Sequence, residues 1–204
     1  MDNRQKAPVG RPRGFDAEEA LERALVVFWR QGYEGATLTD LTNAMGITRT
    51  SMYAAFGNKE ELFRKVLDRY TAGPGAYVAS ALAESTARAV AAGLLNGAVR
   101  TTTRQDCPGC LGVQGALATG DPAHHARDVL IAWRNDAGAR VADRFRSAVA
   151  EGDLPPGTDP KRLALYVTSL VYGIAVQAVG GVGRDDLQRV ADTALLNWPP
   201  ATVG

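Results

Sequence analysis

Three pairs of residues, each spaced three apart, govern what this chain can fold into: Asp16 with Glu19, Thr37 with Asp40, and Asn58 with Glu61. Each pair has the form of a capping box. A short polar side chain accepts from the backbone N–H three residues on, and the acid reaches back to the first residue's own N–H. Such pairs satisfy the orphan donors that every helix start leaves behind. After the first pair, Ala20, Leu21, Ala24, Leu25 and Phe28 recur at helical spacing up to Gly32. The second opens a short helix that stops at Gly46, and Thr48 caps another that runs to Phe56. The third opens a helix through Leu62, Phe63, Val66, Leu67 and Tyr70 to the break at Gly73-Pro74-Gly75. Four helices in about seventy residues hold too little core for independent stability.

The same signals continue downstream. Helices are expected from Thr86 to about Thr101, from Cys110 to Thr119, from Ala123 to Glu151, from Pro160 to Val179 and from Asp185 to Leu196. Gly152, Pro155, Pro156 and Gly157 separate the third of these from the fourth, and Pro199-Pro200 ends the last. No stretch alternates apolar and polar residues for long, and β-branched clusters are missing, so the expected fold is all-α. It comprises about nine helices. Residues 1–14 read as a basic arm, 15–72 as a domain built on a three-helix helix-turn-helix, and 75–198 as a larger helical domain.

With 204 residues, 46% of them hydrophobic and 22% charged, the chain falls in the ordinary globular range, which excludes collagenous, low-complexity and disordered classes. A formal net charge of +1 names no partner, so nucleic-acid binding would need a local patch. Two cysteines cannot staple a secreted fold of this size, and the polar, basic N-terminus lacks the apolar run of a secretory signal. A cytoplasmic location is expected. Leu163 to Gly183 carries no charge and is long enough to cross a bilayer, but it stands alone, and a soluble helix buried on two sides explains the same run. No membrane association is expected.

The most specific signal lies in LTDLTNAMGITRTSMYAAF, where Leu41, Met45, Ile47, Met52 and Ala55 are apolar and Gly46 marks the turn. This is the packing pattern of a helix-turn-helix, whose first helix crosses the DNA backbone and whose second enters the major groove. With Met52 and Phe56 on the core side, Arg49, Thr50, Ser51, Tyr53 and Ala54 are left to point elsewhere. Arg49 and Thr50 stand at the end that meets base edges, and arginine can bond guanine bidentately.

From Gly10 to Tyr70 the sequence resembles the DNA-binding domain of the tetracycline-repressor (TetR) family of bacterial transcription regulators. The likeness rests on FW-RQGYEGATL, the DLTNAMGIT turn and SMYAAFGNKEELF in combination. It implies a homodimeric repressor whose two heads read a palindromic double-stranded DNA operator, and whose larger domain binds a small-molecule effector that releases the DNA. Residue by residue, it places DNA contacts on Arg49, Thr50, Ser51, Tyr53 and Ala54, with Tyr53 at a phosphate-contacting position. Lys59 falls on the phosphate-clamping lysine, and Thr37 and Thr39 point the second helix's N-terminus at the backbone. Ala54 departs from the aromatic or polar residue common there, which shifts base reading onto Arg49 and Thr50. Arg11 and Arg13 then become an arm for the adjacent groove in preference to a solubilising tail.

In the larger domain the resemblance implies a dimer interface formed by the helices at about 160–180 and 185–197. The apolar run around Leu163 to Val179 suits it, and Gly173, Ala175 and Ala178 would permit close approach of a partner. A helix buried wholly within a monomer is the competing reading. Candidate lining residues of an effector pocket between the helices are Tyr77, Gln114, Trp133, Tyr166, Tyr172 and Gln177.

Cys107-Pro108-Gly109-Cys110 has the spacing of a redox pair. A helix starting at Cys110 would lower its thiol pKa, so that Cys110 could react and Cys107 resolve it, against the plainer reading of Cys110 as a small core residue. His124 and His125 follow too far along to complete a zinc site with the cysteines, so no metal and no cofactor are expected. No phosphate loop or nucleophile elbow is present, so an enzyme is not expected. A thiol oxidoreductase and a small-molecule carrier remain the alternatives to a regulator.

Overall fold

The computed structural model describes residues 14–117 and 124–199, and the side chains of 14–114 and 126–199. Its described residues form ten helices and no strand: α1 (Ala17–Gly35), α2 (Leu38–Met45), α3 (Arg49–Phe56), α4 (Lys59–Ala72), α5 (Tyr77–Leu82), α6 (Ala87–Thr102), α7 (Leu111–Leu117), α8 (His124–Ala150), α9 (Pro160–Val179) and α10 (Arg184–Leu196). The expected all-α architecture is present, with one helix more than the sequence suggested, because α5 carries no side-chain cap to announce it. Arg11, Arg13 and the rest of the basic arm before Gly14 lie outside the described residues, as do Thr119, Ala123 and the side chains of His124 and His125.

Local chemistry sets the helix starts. Thr37 with Asp40 and Asn58 with Glu61 form complete capping boxes. At Asp16 the side chain accepts from the N–H groups of Glu18 and Glu19, while the Glu19 carboxylate pairs with Arg23 at 2.6 Å. Gly32, at φ +69°, interrupts α1 where the periodicity ends, and one further turn follows to Gly35.

Three apolar clusters hold the helices together. In the first, Phe28 of α1 and Phe63 of α4 meet edge to face at 5.1 Å, and Leu41, Met45, Met52 and Phe56 dock α2 and α3 beneath them. This cluster does not stop at Gly73: it continues through Cys107, Cys110, Leu111 and Leu130 to Ala175 on α9. The small N-terminal core is thus completed by residues of the larger one. A second cluster joins α5, α6, α8 and α9, and a third joins α6, α9 and α10.

Helix α9 is the one described helix long and apolar enough to cross a bilayer, and its inner face packs into all three clusters. Its outer face leaves Leu165 67% exposed, with Val176 and Val179 about half exposed. One expectation is corrected here. Ala175 and Ala178 are buried in their own chain at 1% and 8% exposure, so they are not free to receive a partner, and Gly173 alone of the three small residues faces outward over open space.

Candidate nucleic-acid interface and internal cavity

The turn between α2 and α3 is built on Gly46, whose φ of +68° admits a residue without Cβ and lets Ile47 N–H reach the Thr42 carbonyl at 3.1 Å. Thr48 then caps α3 by accepting from Ser51 N–H at 3.1 Å. Met52 and Phe56 are buried and fix the rotation of α3 about its axis. Arg49, Thr50, Tyr53 and Ala54 consequently face solvent together, Tyr53 at 48% exposure, while Ser51 is half-buried beside Thr48, with their hydroxyls 3.0 Å apart.

Arg49 is held across the turn, donating to the Thr39 hydroxyl at 2.9 Å. Thr37 uses its hydroxyl within the α2 cap, donating to Asp40 at 2.6 Å, and these bonds keep the Asp40 carboxyl below its usual range. Lys59 opens α4 with its ammonium 4.4 Å from the centre of the Tyr33 ring, and burial pulls its pKa below the ordinary lysine value. No acid occurs within α3, so the face bearing Arg49, Thr50 and Tyr53 offers hydroxyls and cationic N–H groups to an anion.

Behind this face, side chains of α1 and α4 grip the segment before α7. The Trp29 indole donates to the Gly109 carbonyl at 3.2 Å, and Arg30 donates twice to the Asp106 carbonyl at 3.1 and 2.9 Å. Tyr70 donates to Cys110 Sγ at 3.3 Å, and Trp133 of α8 donates to the Thr71 hydroxyl at 2.9 Å.

Of these residues, Tyr70, Cys110 and Trp133 line a narrow cavity of about 40 Å³. Of the six candidate lining residues, Tyr77, Trp133 and Tyr172 border it. The other three lie elsewhere: Gln114 donates to the Pro108 carbonyl at 2.9 Å, Tyr166 lines a shallow groove between α9 and α10, and Gln177 is exposed on α9. Tyr70 and Thr168 line the cavity without having been singled out from the sequence, where Tyr70 carried only the signal of a core position.

Both cysteines are free and buried. Burial pushes the Cys110 thiol above its ordinary pKa, against the expected lowering by the helix start, and Cys107 is raised by burial and by Asp106. Among the described residues no group of three His, Cys, Asp or Glu side chains could hold a metal.

A family model described as bacterial regulatory proteins, tetR family, matches residues 20–66. The HTH-type transcriptional repressor ComR of Escherichia coli is 31% identical over 194 residues, which cover 93% of this chain and 92% of that repressor. The chain belongs to the TetR family. A second TetR-type relative, the HTH-type transcriptional repressor BdcR of Escherichia coli, is 30% identical over 145 residues, or 70% of this chain and 72% of the other. Among solved TetR-family structures, a cysteine mutant of the regulator CifR complexed with 26-base-pair double-strand operator DNA superposes with a TM-score of 0.87. It is 41% identical and covers 93% of this chain and all of that one. These TetR-family relatives are regulators of transcription rather than enzymes.

Proposed function

We propose that the protein is a cytoplasmic, homodimeric transcriptional repressor that reads a palindromic operator and leaves it when an effector occupies the larger domain. The carrying observation is the outward face of α3, where Arg49, Thr50, Tyr53 and Ala54 are presented together on a helix locked by Met52 and Phe56. Arg49 and Thr50 read base edges, while Tyr53, Lys59, Thr37 and Thr39 hold phosphates, with Ser51 and Ala54 beside the groove and Arg11 and Arg13 as the arm. Residues 15–72 form the reading head, and 75–198 form the effector and dimer domain. The exposed Leu165, Val176, Val179, Val190 and Leu196 on α9 and α10 supply the apolar surface for two-fold pairing. Pairing sets the two heads about one turn of B-DNA apart, 34–36 Å, or a multiple of it. The operator-bound state of CifR supports this reading by analogy.

The test is fluorescence anisotropy of the reduced protein against DNA from upstream of its own gene and against scrambled DNA, at about 150 mM salt. The expected result is binding at least about a thousandfold tighter to the first. Equal weak binding to both, repeated on unbiased DNA libraries, removes the regulator in favour of a carrier.

A second route to release is favoured by one contact. Cys110 lines the cavity and accepts the Tyr70 hydroxyl, so modification of this sulfur would push directly on α4. Unchanged sensitivity of DNA binding to peroxide and alkylating agents in Cys110→Ser removes this route.

A further inference from the structure

The cavity beside Cys110 is not closed on every side. Thr168 and Tyr172 of α9 line both it and a wide groove of about 780 Å³ between α8 and α9, so the two spaces share a wall. The groove carries Arg134, Arg146 and Lys161 against one lining acid, Asp143. Asp143 is already taken by Arg146, with 2.6 Å between them, which leaves the wall with two cations unbalanced by its own acid.

Arg134 lines the groove, on which Thr168 and Tyr172 also lie. It is half-buried, it has no carboxylate partner among the described residues, and its hydrogen bond to the Gly112 carbonyl is long at 3.4 Å. Burial raises Tyr172 and Cys110, and the Arg134 charge pulls both back down, so the guanidinium acts on groups of the inner cavity as well as the groove. A half-buried guanidinium without an anion is costly, and its planar fork matches a carboxylate through two parallel hydrogen bonds. The inner cavity is apolar, walled by Val78, Leu94, Val141 and Val171. Since one water needs about 10–15 Å³ of such space, about 40 Å³ accommodates a chain of only a few carbons.

Resting on the reading of this domain as the effector domain, we propose that the ligand is a short-chain carboxylate, its head on Arg134 and its tail past Thr168 and Tyr172 into the cavity. Lys161, farther out on the groove, widens the attraction for anions without fixing the head.

Calorimetric titration of the full-length protein with butyrate and hexanoate, against 1-butanol and n-butylamine as matched controls, tests the assignment. The expected result is saturable binding of a carboxylate, at least about tenfold tighter than the alcohol or amine. Arg134→Gln should remove that preference, and Arg134→Lys should keep part of it, with circular dichroism showing both variants folded. Equal binding of butyrate and 1-butanol, an unchanged carboxylate affinity in Arg134→Gln, or no carboxylate binding at all overturns the proposal. Operator anisotropy run in parallel separates the two readings: Arg134-dependent carboxylate binding that leaves operator binding intact upholds the site and refutes release by this ligand.

Discussion

The indole N–H of Trp29 meets the carbonyl of Gly109 at 3.2 Å, bridging two residues eighty positions apart in the chain. Gly109 has a φ of +84°, a conformation that suits glycine, and the turn it makes presents its carbonyl to α1. One turn of backbone thereby fixes the body to the helix that carries the reading head's core.

Trp29→Phe keeps an aromatic ring in this place but leaves the Gly109 carbonyl without its donor. A buried acceptor so stranded costs about 1–3 kcal/mol. Urea unfolding monitored by circular dichroism should show that loss with little change in helix content before the transition.

Arg49→Ala should cost about 1–3 kcal/mol on operator DNA and relax preference at one base pair, whereas Lys59→Ala should weaken operator and random DNA alike. Anisotropy titrations on both DNAs read the difference. Equal losses for both variants on both DNAs would refute the assignment of Arg49 to bases and Lys59 to phosphate.

The proposed dimer surface makes a prediction that a monomeric protein would not obey. Leu165 and Val176 are exposed in the single chain, so Leu165→Glu with Val176→Glu should leave the fold of one protomer intact. Light scattering should then give half the mass, and operator affinity should fall by at least about a hundredfold as the second head becomes a separate binding event.

Stability should fall in alkali. The Cys110 thiol is raised by burial above its ordinary value of 9.0, so the folded state keeps its proton where the unfolded state has lost it. The resulting stabilisation is complete below pH 9 and is lost as pH climbs toward the raised value. Tyr70 and Tyr172, raised from 10.0 by burial, extend the loss to higher pH. Urea midpoints between pH 7.5 and 10.5 should decline, and less steeply in Cys110→Ala.

What was legible in the sequence was local. Thr37, Thr48 and Asn58 announce their helices because a cap acts within three residues, and Gly46 announces the turn because its conformation excludes most other side chains. Helix α5 escaped notice because its support is remote. Tyr77 lies over Gly97 and Ala81 over Gly93, where a Cβ added to either glycine would collide with the α5 side chain above it. That notch in α6 is a tertiary fact with no trace in the six residues of α5. Cys110 shows the same limit: a helix start argues for a low thiol pKa, whereas the burial that overrides it is set by the tertiary fold. Of the six lining candidates, Tyr77, Trp133 and Tyr172 border the cavity and are large and semi-polar, while Gln114 and Gln177 have the right chemistry in the wrong direction.

The apolar cluster that runs from Phe28 through Leu111 to Ala175 bears on how regulators of this kind can be recombined. A chimaera joined at Gly73 would strip Trp29 and Tyr70 of their neighbours and expose a sticky, half-finished surface. A transplantable head has to travel with the Asp106 to Val113 segment, so the unit of exchange is spatial and does not coincide with any single cut in the chain.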